Sequence, residues 1–574
     1  MTMIPFQGTA QIIFYVVVLL AVTPLLGSYM ARVYEGDTVL LARWFGFAER
    51  GFYRLLRTSP DEEQDWKGYG TSVIVFSLLF LIPLYVLLRV QGHLPLNPDH
   101  LTSVNAGVAA NTASSFITNT NWQYYGGEYT MSYLSQMAGL AVQNFVSAAV
   151  GMAVLAAMIR GFARRETTRL GNFWVDLYRT TVYILLPICV VTAAFFIWQG
   201  VPDTFSGHAV AHTVQGHTQS IARGPVASQI AIKQLGTNGG GFYNSNSAVP
   251  FENPTGFTNF VSMLFILTIG SSEVFMFGKM VRATRQGWSI LSVMFILMVA
   301  GVAIAAPAEQ HGSPVLRQSG VNIAASSTSP GGNMEGKETR FGIANTALWA
   351  DTTTDASNGS VNGSHDSFTA LGGAVPLTNI FIGEVIFGGV GSGLYGMLML
   401  VIIAVFVGGL MVGRTPEYLG KKIEAREMKL AVIGSIWVPL VVLTLTAIAM
   451  STHAGKLSIF NAGPHGFTEA FYAYTSQTNN NGSAFAGYGA LHFSTMLGAF
   501  AMLVGRFVPL LAALAIGGSV AMKKTAPASA GTMRTDGPTF VVLLTGVVIL
   551  LPALTILPAL VLGPVVEALT TKLF

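Results

Sequence analysis

Ten long apolar runs constrain the fold of this chain more than any other feature of its sequence. Each run is about 20 residues or longer, the length that an α-helix needs to cross the hydrocarbon core of a bilayer. The runs lie at about 11–30, 71–90, 133–160, 176–199, 257–281, 288–306, 376–413, 428–451, 493–522 and 538–562. Because backbone groups in lipid must bond within the segment, the runs predict an all-α polytopic membrane protein with ten transmembrane helices.

The composition agrees with this prediction. Hydrophobic residues make up 51% of the 574 positions and charged residues only 10%, against roughly 25% charged residues in a soluble domain. No basic residue precedes the first run, which favours a retained helix over a cleaved signal peptide. The single Cys189 excludes a disulfide within the chain and a metal site built from cysteines.

Four short polar signatures recur between the runs. They are Thr118-Asn119-Thr120, Thr237-Asn238-Gly239, Ser357-Asn358-Gly359 and Asn480-Asn481-Gly482. Their central asparagines lie 119, 120 and 123 residues apart, which indicates one structural unit used four times. Asn-Gly is a common turn dipeptide, but ordinary turns would not be expected at the same place in four units.

Eight of the ten runs pair around the signatures and predict four pseudo-repeats. Each repeat has the order spanning helix, pore half-helix, filter loop and spanning helix. The predicted units are an extra N-terminal helix (1–35), repeat one (71–160), repeat two (176–281), repeat three (288–413, with an outer loop 307–375), repeat four (428–522) and an extra C-terminal helix (538–562).

The basic residues predict the orientation. One set of alternate connections, 32–70, 160–179, 279–285, 414–429 and 523–534, holds 22 lysines and arginines, and the other set holds six. By the positive-inside rule the first set faces the cytoplasm. All four signatures and both termini are therefore expected on the extracytoplasmic side.

The residue types of the signatures suit a cation. Non-helical backbone at membrane depth must be satisfied by protein, by water or by an ion. Glycine at 239, 359 and 482 permits backbone angles that aim carbonyls at an axis, whereas the first signature has Thr120. A monovalent ion such as potassium fits better than calcium or magnesium, which recruit carboxylates; only the third neighbourhood has acids, Asp351 and Asp355.

Several longer strings resemble the potassium-binding A subunit (KdpA) of Kdp-type potassium-transporting ATPases. They are TNTNWQ (118–123), GTNGGGFYNSNS (236–247), PFENPT (250–255), NMEGKETRFG (333–342), HDSFTALGG (365–373), GEVIFGGVGSGLYGM (383–397), GRTPEYLGKKI (413–423) and NNNGSAFAG (479–487), and the resemblance covers essentially the whole chain. That family belongs to a superfamily of potassium transporters whose fold is potassium-channel-like, with four repeats on one chain.

The resemblance also implies partners and a location. This subunit would select potassium, the transported substrate, on the outer side. A KdpB-like P-type ATPase catalytic subunit would hydrolyse ATP, with KdpC-like and small KdpF-like membrane subunits beside it. The complex would reside in the inner membrane of a bacterial or archaeal cell.

What the chain lacks agrees with that division. It has no phosphate-binding loop of the Gly-x-x-x-x-Gly-Lys-[Ser/Thr] type and no Asp-Lys-Thr-Gly motif. We therefore expect no catalytic site of its own, no bound nucleotide and no nucleic-acid partner. The alternatives are a stand-alone potassium channel or ion-coupled transporter of the same superfamily, and a membrane enzyme, which would need a convergent catalytic cluster that the sequence does not contain.

Charged residues and glycines inside the apolar runs are candidates for the ion route, because a charge at the centre of a spanning helix is costly. Arg506 is expected below the filter, where it would oppose leak to the cytoplasm; a buried structural ion pair is the alternative. Glu384 precedes the glycine-rich run 388–393, including Gly389 and Gly391, which predicts a broken helix. By the resemblance, this break would line a tunnel leading sideways to the ATPase subunit.

Three further features are less specific. Glu273 has no glycine break beside it, and a structural role is favoured. Gln123 either faces the filter mouth or belongs to a polar turn. His208, His212 and His217 lie close together in an outer loop, but without regular structure a solvated loop is favoured over a metal site.

Overall fold

The computed structural model describes residues 6–570, except 38, 327–328, 412, 486 and 527–532. Within these residues, ten helices are long and apolar enough to cross a membrane. The remaining elements are shorter helices and two small antiparallel hairpins. The prediction of an all-α protein with ten spanning helices is confirmed.

The helices are numbered in chain order. The first eight are α1 (Phe6–Glu35), α2 (Leu40–Leu56), α3 (Trp66–Val90), α4 (Ala106–Ile117), α5 (Gly127–Thr130), α6 (Val142–Ala163), α7 (Phe173–Arg179) and α8 (Leu186–Trp198). The next seven are α9 (Val226–Leu235), α10 (Gly256–Met280), α11 (Thr284–His311), α12 (Pro314–Gln318), α13 (Gly342–Asp355), α14 (Ala370–Phe381) and α15 (Ser392–Met411). The last six are α16 (Ala425–Ser451), α17 (His453–Lys456), α18 (Gly463–Asn479), α19 (His492–Ala521), α20 (Pro538–Leu560) and α21 (Val566–Leu569).

The two hairpins lie in connections between helices. Strand β1 (Ala209–His212) pairs with β2 (Thr218–Ile221), with Ala209 opposite Ile221. Strand β3 (Glu417–Tyr418) pairs with β4 (Lys421–Lys422). Turns of π-helix at Ser135–Ala141, Thr180–Leu185 and Val561–Val565 continue the helices next to them without ending the spans.

Four short helices, α4, α9, α13 and α18, each lie between two spanning helices. They contain 12, 10, 14 and 17 residues, and at about 1.5 Å per residue none can cross the roughly 30 Å hydrocarbon core. The flanking pairs are α3 and α6, α7–α8 and α10, α11 and α15, and α16 and α19. The helix that closes each repeat is therefore preceded by a half-helix and a loop.

The helices that close the repeats form the inner part of the bundle. The apolar windows of the spans ending in α6, α10, α15 and α19 are 89, 78, 72 and 61% buried, whereas those of α1, α3, α16 and α20 are only 22–33% buried. The least buried helices face lipid, because only apolar surfaces are stable there. The four closing helices are thus among the most buried spans of the bundle, together with α11, whose window is also 61% buried.

Two parts of the fold differ from the sequence prediction. The run 376–413 is not one span: α14 ends at Phe381 and α15 begins at Ser392, so an irregular segment at 382–391 breaks it. The glycine-rich break was predicted, although it begins earlier than the glycines do. Helix α2 was not predicted at all, because its polar face lowers the average hydropathy of the segment.

Candidate functional site

Each half-helix ends directly at one of the four signatures. The chain then turns back, and a backbone N–H in each signature donates to a carbonyl of the last helical turns. These bonds are Thr120 to Ser115 (2.9 Å), Asn238 to Lys233 (3.0 Å), Asn358 to Thr353 (3.3 Å) and Asn481 to Ser476 (2.9 Å). The carbonyl ends of four helices thus meet the loops, and their partial negative charge favours a cation there.

These equivalent hydrogen bonds change the register of the first signature. Thr120, and not Asn119, corresponds to Asn238, so Asn121 holds the position of Gly239. The backbone φ of Asn121 is +55°, and that of Gly239 is +80°. Asparagine tolerates this left-handed region better than most residues. The expectation that Thr120 stands in the place of a glycine was therefore wrong. Aligning Asn119 with the central asparagines of the other signatures shifted the first loop by one residue.

The ring glycines lie against the carbonyl of the central residue in the next loop. A Cβ on Gly239 would overlap with the carbonyl oxygen of Asn358, and a Cβ on Gly359 with that of Asn481. A Cβ on Gly482 would overlap with the carbonyl oxygen of Thr120. All three glycines have positive φ, between +80° and +95°. Repeat two therefore contacts three, three contacts four, and four contacts one.

Side-chain hydrogen bonds close the same ring. Asn119 Nδ2 donates to the Thr237 carbonyl at 3.0 Å, which joins repeats one and two. The other joints are Asn358 Nδ2 to the Lys233 carbonyl (3.2 Å), Ser357 Oγ to the Asn480 carbonyl (2.6 Å) and Asn480 Nδ2 to Thr120 Oγ1 (2.9 Å). A carbonyl oxygen has two lone pairs, so one that accepts such a bond keeps capacity for an ion. The signature residues that carry side chains, Thr118 included, are 0–3% exposed.

Two arrangements behind the loops hold their shape. Gln123 brackets Gly241 of the second repeat, donating to its carbonyl at 3.1 Å and accepting from its N–H at 3.0 Å. Asn246 Nδ2 donates to the Gly239 carbonyl at 2.9 Å, and its Oδ1 accepts from the buried Lys233, which also pairs with Glu252. Gln123 thus links repeat one to repeat two through two hydrogen bonds.

The fourth loop is tied to the outer segment. His365 Nδ1 lies 2.9 Å from Tyr472 Oη, which lies 2.8 Å from Ser483 Oγ. The Ser483 N–H donates to Asn481 Oδ1 at 3.0 Å. A chain of polar contacts therefore connects the 3₁₀ turn at His365–Ser367 to the central asparagine of the fourth signature.

The irregular segment 382–391 lies against the second and third signatures. The Val390 N–H donates to Thr237 Oγ1 at 3.0 Å, and a Cβ on Gly389 would come within 2.7 Å of Ser357 Cβ. Gly391 has a φ of +80° and donates its N–H to both carboxylate oxygens of Glu273, at 2.9 and 2.8 Å. Glu273 therefore anchors the broken helix, which fits the structural role favoured from the sequence.

Arg506 and Glu384 line one cavity of about 260 Å³ beside this segment. Arg506 lies one turn beyond Met502, whose carbonyl accepts from Asn480 Nδ2 at 3.1 Å, so its helix runs directly past the fourth signature. Arg506 is 4% exposed, and its guanidinium group makes no hydrogen bond or ion pair with any described residue. Glu384 is 3% exposed, and its Oε1 has no hydrogen-bond partner within the described part of the chain. Among the described residues, no acidic group therefore forms a direct ion pair with Arg506.

A family model described as the potassium-transporting ATPase A subunit matches residues 13–569. The chain belongs to this family. The potassium-transporting ATPase potassium-binding subunit of Methylobacterium radiotolerans is 56% identical over 565 residues, covering 98% of this chain and 97% of that protein. The protein of the same name from Sorangium cellulosum is 55% identical over 574 residues, covering 98% and 99%. The family resemblance read from the sequence is confirmed.

Among solved structures, the potassium transporter TrkH from Vibrio parahaemolyticus aligns with this A-subunit chain over 88% of its length. The alignment covers 96% of the TrkH chain, at 16% identity and a TM-score of 0.49.

The acids and histidines noted in the sequence take no part in the four ring-joint hydrogen bonds of this A-subunit family member. Asp351 accepts from Asn379 of α14 at 3.0 Å, and Asp355 is also fully buried at the end of α13. His208 pairs with Asp99 at 3.5 Å. Among the described residues, His208, His212 and His217 form no group that could hold a metal ion.

Lys233 and Glu252 were missed by the sequence analysis. Lys233 was counted only as an outer basic residue, yet its side chain is completely buried one turn before the second signature. A lysine that close to a membrane-embedded loop, followed by a glutamate in the PFENPT string, was the signal that could have found the pair. Such a buried charge is stable only when it is paired.

His465 holds α18 against two other segments of the chain. Its ring nitrogens lie 3.0 Å from Asp366 and 3.0 Å from Glu567. Burial opposes the charge on His465, but the hydrogen bonds and charges of these two acids outweigh burial and raise its pKa to about 10. Glu469 lies in the same acidic group.

We expect this contact to make stability depend on pH. Because the folded-state pKa is raised above the usual value of about 6.5, the stabilisation is complete below about pH 6.5 and is lost as the pH rises through about 10. His465→Gln should therefore lower the melting temperature of the purified protein at pH 6 but not at pH 10.5. The exposed His453→Gln is the control. If His465→Gln lowered the melting temperature equally at both pH values, a charged His465 would not be the source of the stabilisation.

Proposed function

We propose that this chain is the potassium-binding subunit of a potassium-transporting ATPase and that the four signature loops are its selectivity filter. The observation that carries the proposal is the closed ring of contacts by which the signature loops join all four repeats, at the carbonyl ends of four half-helices. The relatives named for potassium binding support the choice of ion. Ring carbonyls would replace the hydration shell of potassium, and the fixed spacing of the loops would set the selectivity.

The filter residues of the proposal are the twelve signature residues with Asn121 added to the first loop. In the first loop, Asn119, Thr120 and Asn121 play the parts of Thr237, Asn238 and Gly239, and Thr118 precedes them at the helix end. Gln123 supports the filter from behind. The loops open to the extracytoplasmic side and both termini lie there, as the excess of basic residues in the opposite connections favours.

The exit route is the second part of the proposal. Potassium leaves the filter sideways through the cavity that Glu384 and Arg506 line, past the broken helix at Gly389 and Gly391. Arg506 supplies an unpaired positive charge below the fourth loop, which raises the barrier to a straight path into the cytoplasm. The tunnel leads to a KdpB-like ATPase subunit, with KdpC-like and KdpF-like subunits completing the complex in a bacterial or archaeal inner membrane.

Flux through the isolated chain tests this proposal against a stand-alone channel or ion-coupled transporter. The purified chain in liposomes is expected to bind potassium but to pass no gradient-driven rubidium flux. The complex with its ATPase subunit is expected to take up rubidium only with ATP. Rapid flux through the chain alone would overturn the sideways route to a partner.

The register of the first loop gives a sharper test of the filter residues. We expect Asn121→Gly to leave the potassium concentration for half-maximal ATPase activity within about threefold, since glycine already holds this position in the other repeats. The hydrogen bond that it removes, from Asn121 Nδ2 to Asn144 Oδ1, lies within repeat one and does not join two repeats. Thr120→Gly should raise that concentration by about tenfold, because it removes the Oγ1 that accepts from Asn480. Potassium titrations of ATPase activity in the two variants decide which register of the first loop is correct. If Asn121→Gly had the larger effect and Thr120→Gly the smaller one, the register obtained by aligning the asparagines in the sequence would be correct instead.

A further inference from the structure

Helix α2 lies between the spanning helices α1 and α3 and is docked to the protein by one face only. Glu49 accepts hydrogen bonds from Tyr183 Oη at 2.6 Å and Tyr53 Oη at 2.5 Å, and pairs with Arg179 at 3.2 Å. Tyr178 Oη also donates to the Phe45 carbonyl at 3.3 Å. The contacts with Tyr178, Arg179 and Tyr183, which lie outside α2, fix the rotation of α2 about its axis.

The opposite face of α2 is apolar and exposed. Trp44, Phe47 and Leu55 are 72, 71 and 79% exposed. At 100° per residue these side chains fall within one sector of the helix. Three large apolar side chains on a single face are unfavourable in water, so this face needs an apolar neighbour.

A row of arginines flanks that apolar face. Arg43, Arg50 and Arg54 lie within about 40° of one another around the helix axis. All three are exposed, and none of their guanidinium groups has a hydrogen bond or ion pair with any residue that the structure describes. Three unpaired guanidinium groups beside an apolar strip match the chemistry of a phospholipid, whose phosphate adjoins its acyl chains.

The position of α2 along the chain favours the same neighbour. Only residues 36–39 separate α2 from the end of the spanning helix α1 at Glu35. Four extended residues reach at most about 14 Å. The start of α2 is therefore held at the boundary where α1 leaves the bilayer.

We propose that α2 lies in the membrane interface and binds anionic phospholipid, with Arg43, Arg50 and Arg54 contacting the phosphate groups. Trp44, Phe47 and Leu55 enter the boundary between headgroups and acyl chains. With the orientation proposed above, the lipid belongs to the cytoplasmic leaflet. The lipid site does not depend on the ion route, and its test uses symmetric bilayers, so the two proposals can fail separately.

Quenching of Trp44 by brominated lipids tests the proposal. The full chain is reconstituted in bilayers that contain brominated phosphatidylglycerol or brominated phosphatidylcholine at equal mole fraction. The difference between the native chain and Trp44→Phe isolates Trp44 from the other seven tryptophans. We expect both lipids to quench Trp44, with a relative association constant about fivefold or more in favour of phosphatidylglycerol.

A matched pair of triple variants identifies the arginine row. Replacing Arg43, Arg50 and Arg54 with glutamine should bring the lipid preference close to one. Replacing the exposed Arg414, Arg426 and Lys429 removes the same charge from another basic connection and should leave the preference intact. Equal quenching by both lipids in the native chain would overturn the proposal, as would absence of Trp44 quenching, which indicates water or another subunit on this face. If both triple variants lost the lipid preference equally, the preference would come from the net charge of the protein and not from a lipid site on α2.

Discussion

Replacing Gly239 with alanine should weaken potassium binding by about tenfold or more. The φ of +80° at Gly239 costs a residue with a Cβ about 1–2 kcal/mol, and the new methyl group would overlap with the Asn358 carbonyl. Since about 1.4 kcal/mol is a tenfold change in affinity, the ring cannot keep its spacing without at least that loss. Gly239→Asp adds a fixed anion and should also relax discrimination against sodium. The measurement is potassium and rubidium binding by the purified complex, with sodium as competitor.

A second glycine provides the control for this prediction. Gly546 in α20 has nothing within 4 Å of the place where a Cβ would stand, and it is not among the positive-φ glycines. Gly546→Ala should therefore leave potassium binding unchanged. If Gly239→Ala also bound potassium normally and still rejected sodium, the second loop would not be part of the filter.

Replacing Arg506 with methionine should impair transport much more than assembly. Methionine keeps most of the apolar volume of the side chain and removes the charge. No hydrogen bond or ion pair with a described residue is lost, so the fold should survive. We expect ATP-driven rubidium uptake to fall by about tenfold or more, since removing a charge from a low-dielectric route changes its barrier by more than about 1.4 kcal/mol.

Two readouts from one reconstituted preparation separate the causes. Loss of uptake with normal potassium-stimulated ATP hydrolysis would indicate a leak past the missing charge. Hydrolysis that no longer needs potassium would indicate broken communication with the ATPase subunit. The exposed Arg426→Met is the control for loss of a positive charge. Native values of both activities in the Arg506 variant would remove the main support for the sideways route.

Hydropathy and repetition allowed most of the fold to be predicted from the sequence. A spanning helix must be apolar over about 20 residues, so its signal survives averaging over the segment. Helix α2 was not predicted, because only one of its faces is apolar and its average hydropathy is low. The half-helices were placed by the signatures that follow them, since 10 to 17 residues of mixed polarity carry little signal of their own.

The candidate site was predicted less completely than the fold. The signature positions were found from their spacing, but the register of the first loop was not, because backbone φ and not residue letters decides which residue holds the glycine position. The ion pair between Lys233 and Glu252 was not predicted either. Glu252 is 19 residues away in sequence, and only the fold determines whether such a pair meets.

The four loops belong to one polypeptide, and this has a consequence for how the ring can change over evolution. In a ring of four identical chains, a single codon change alters four positions at once. Here the same change alters one quarter of the ring, so each quarter can acquire its own chemistry. Asn121 in one loop and the polar third loop are such differences. The cavity that Glu384 and Arg506 line is a third difference, since a cavity beside one part of the ring requires a ring that need not be symmetric.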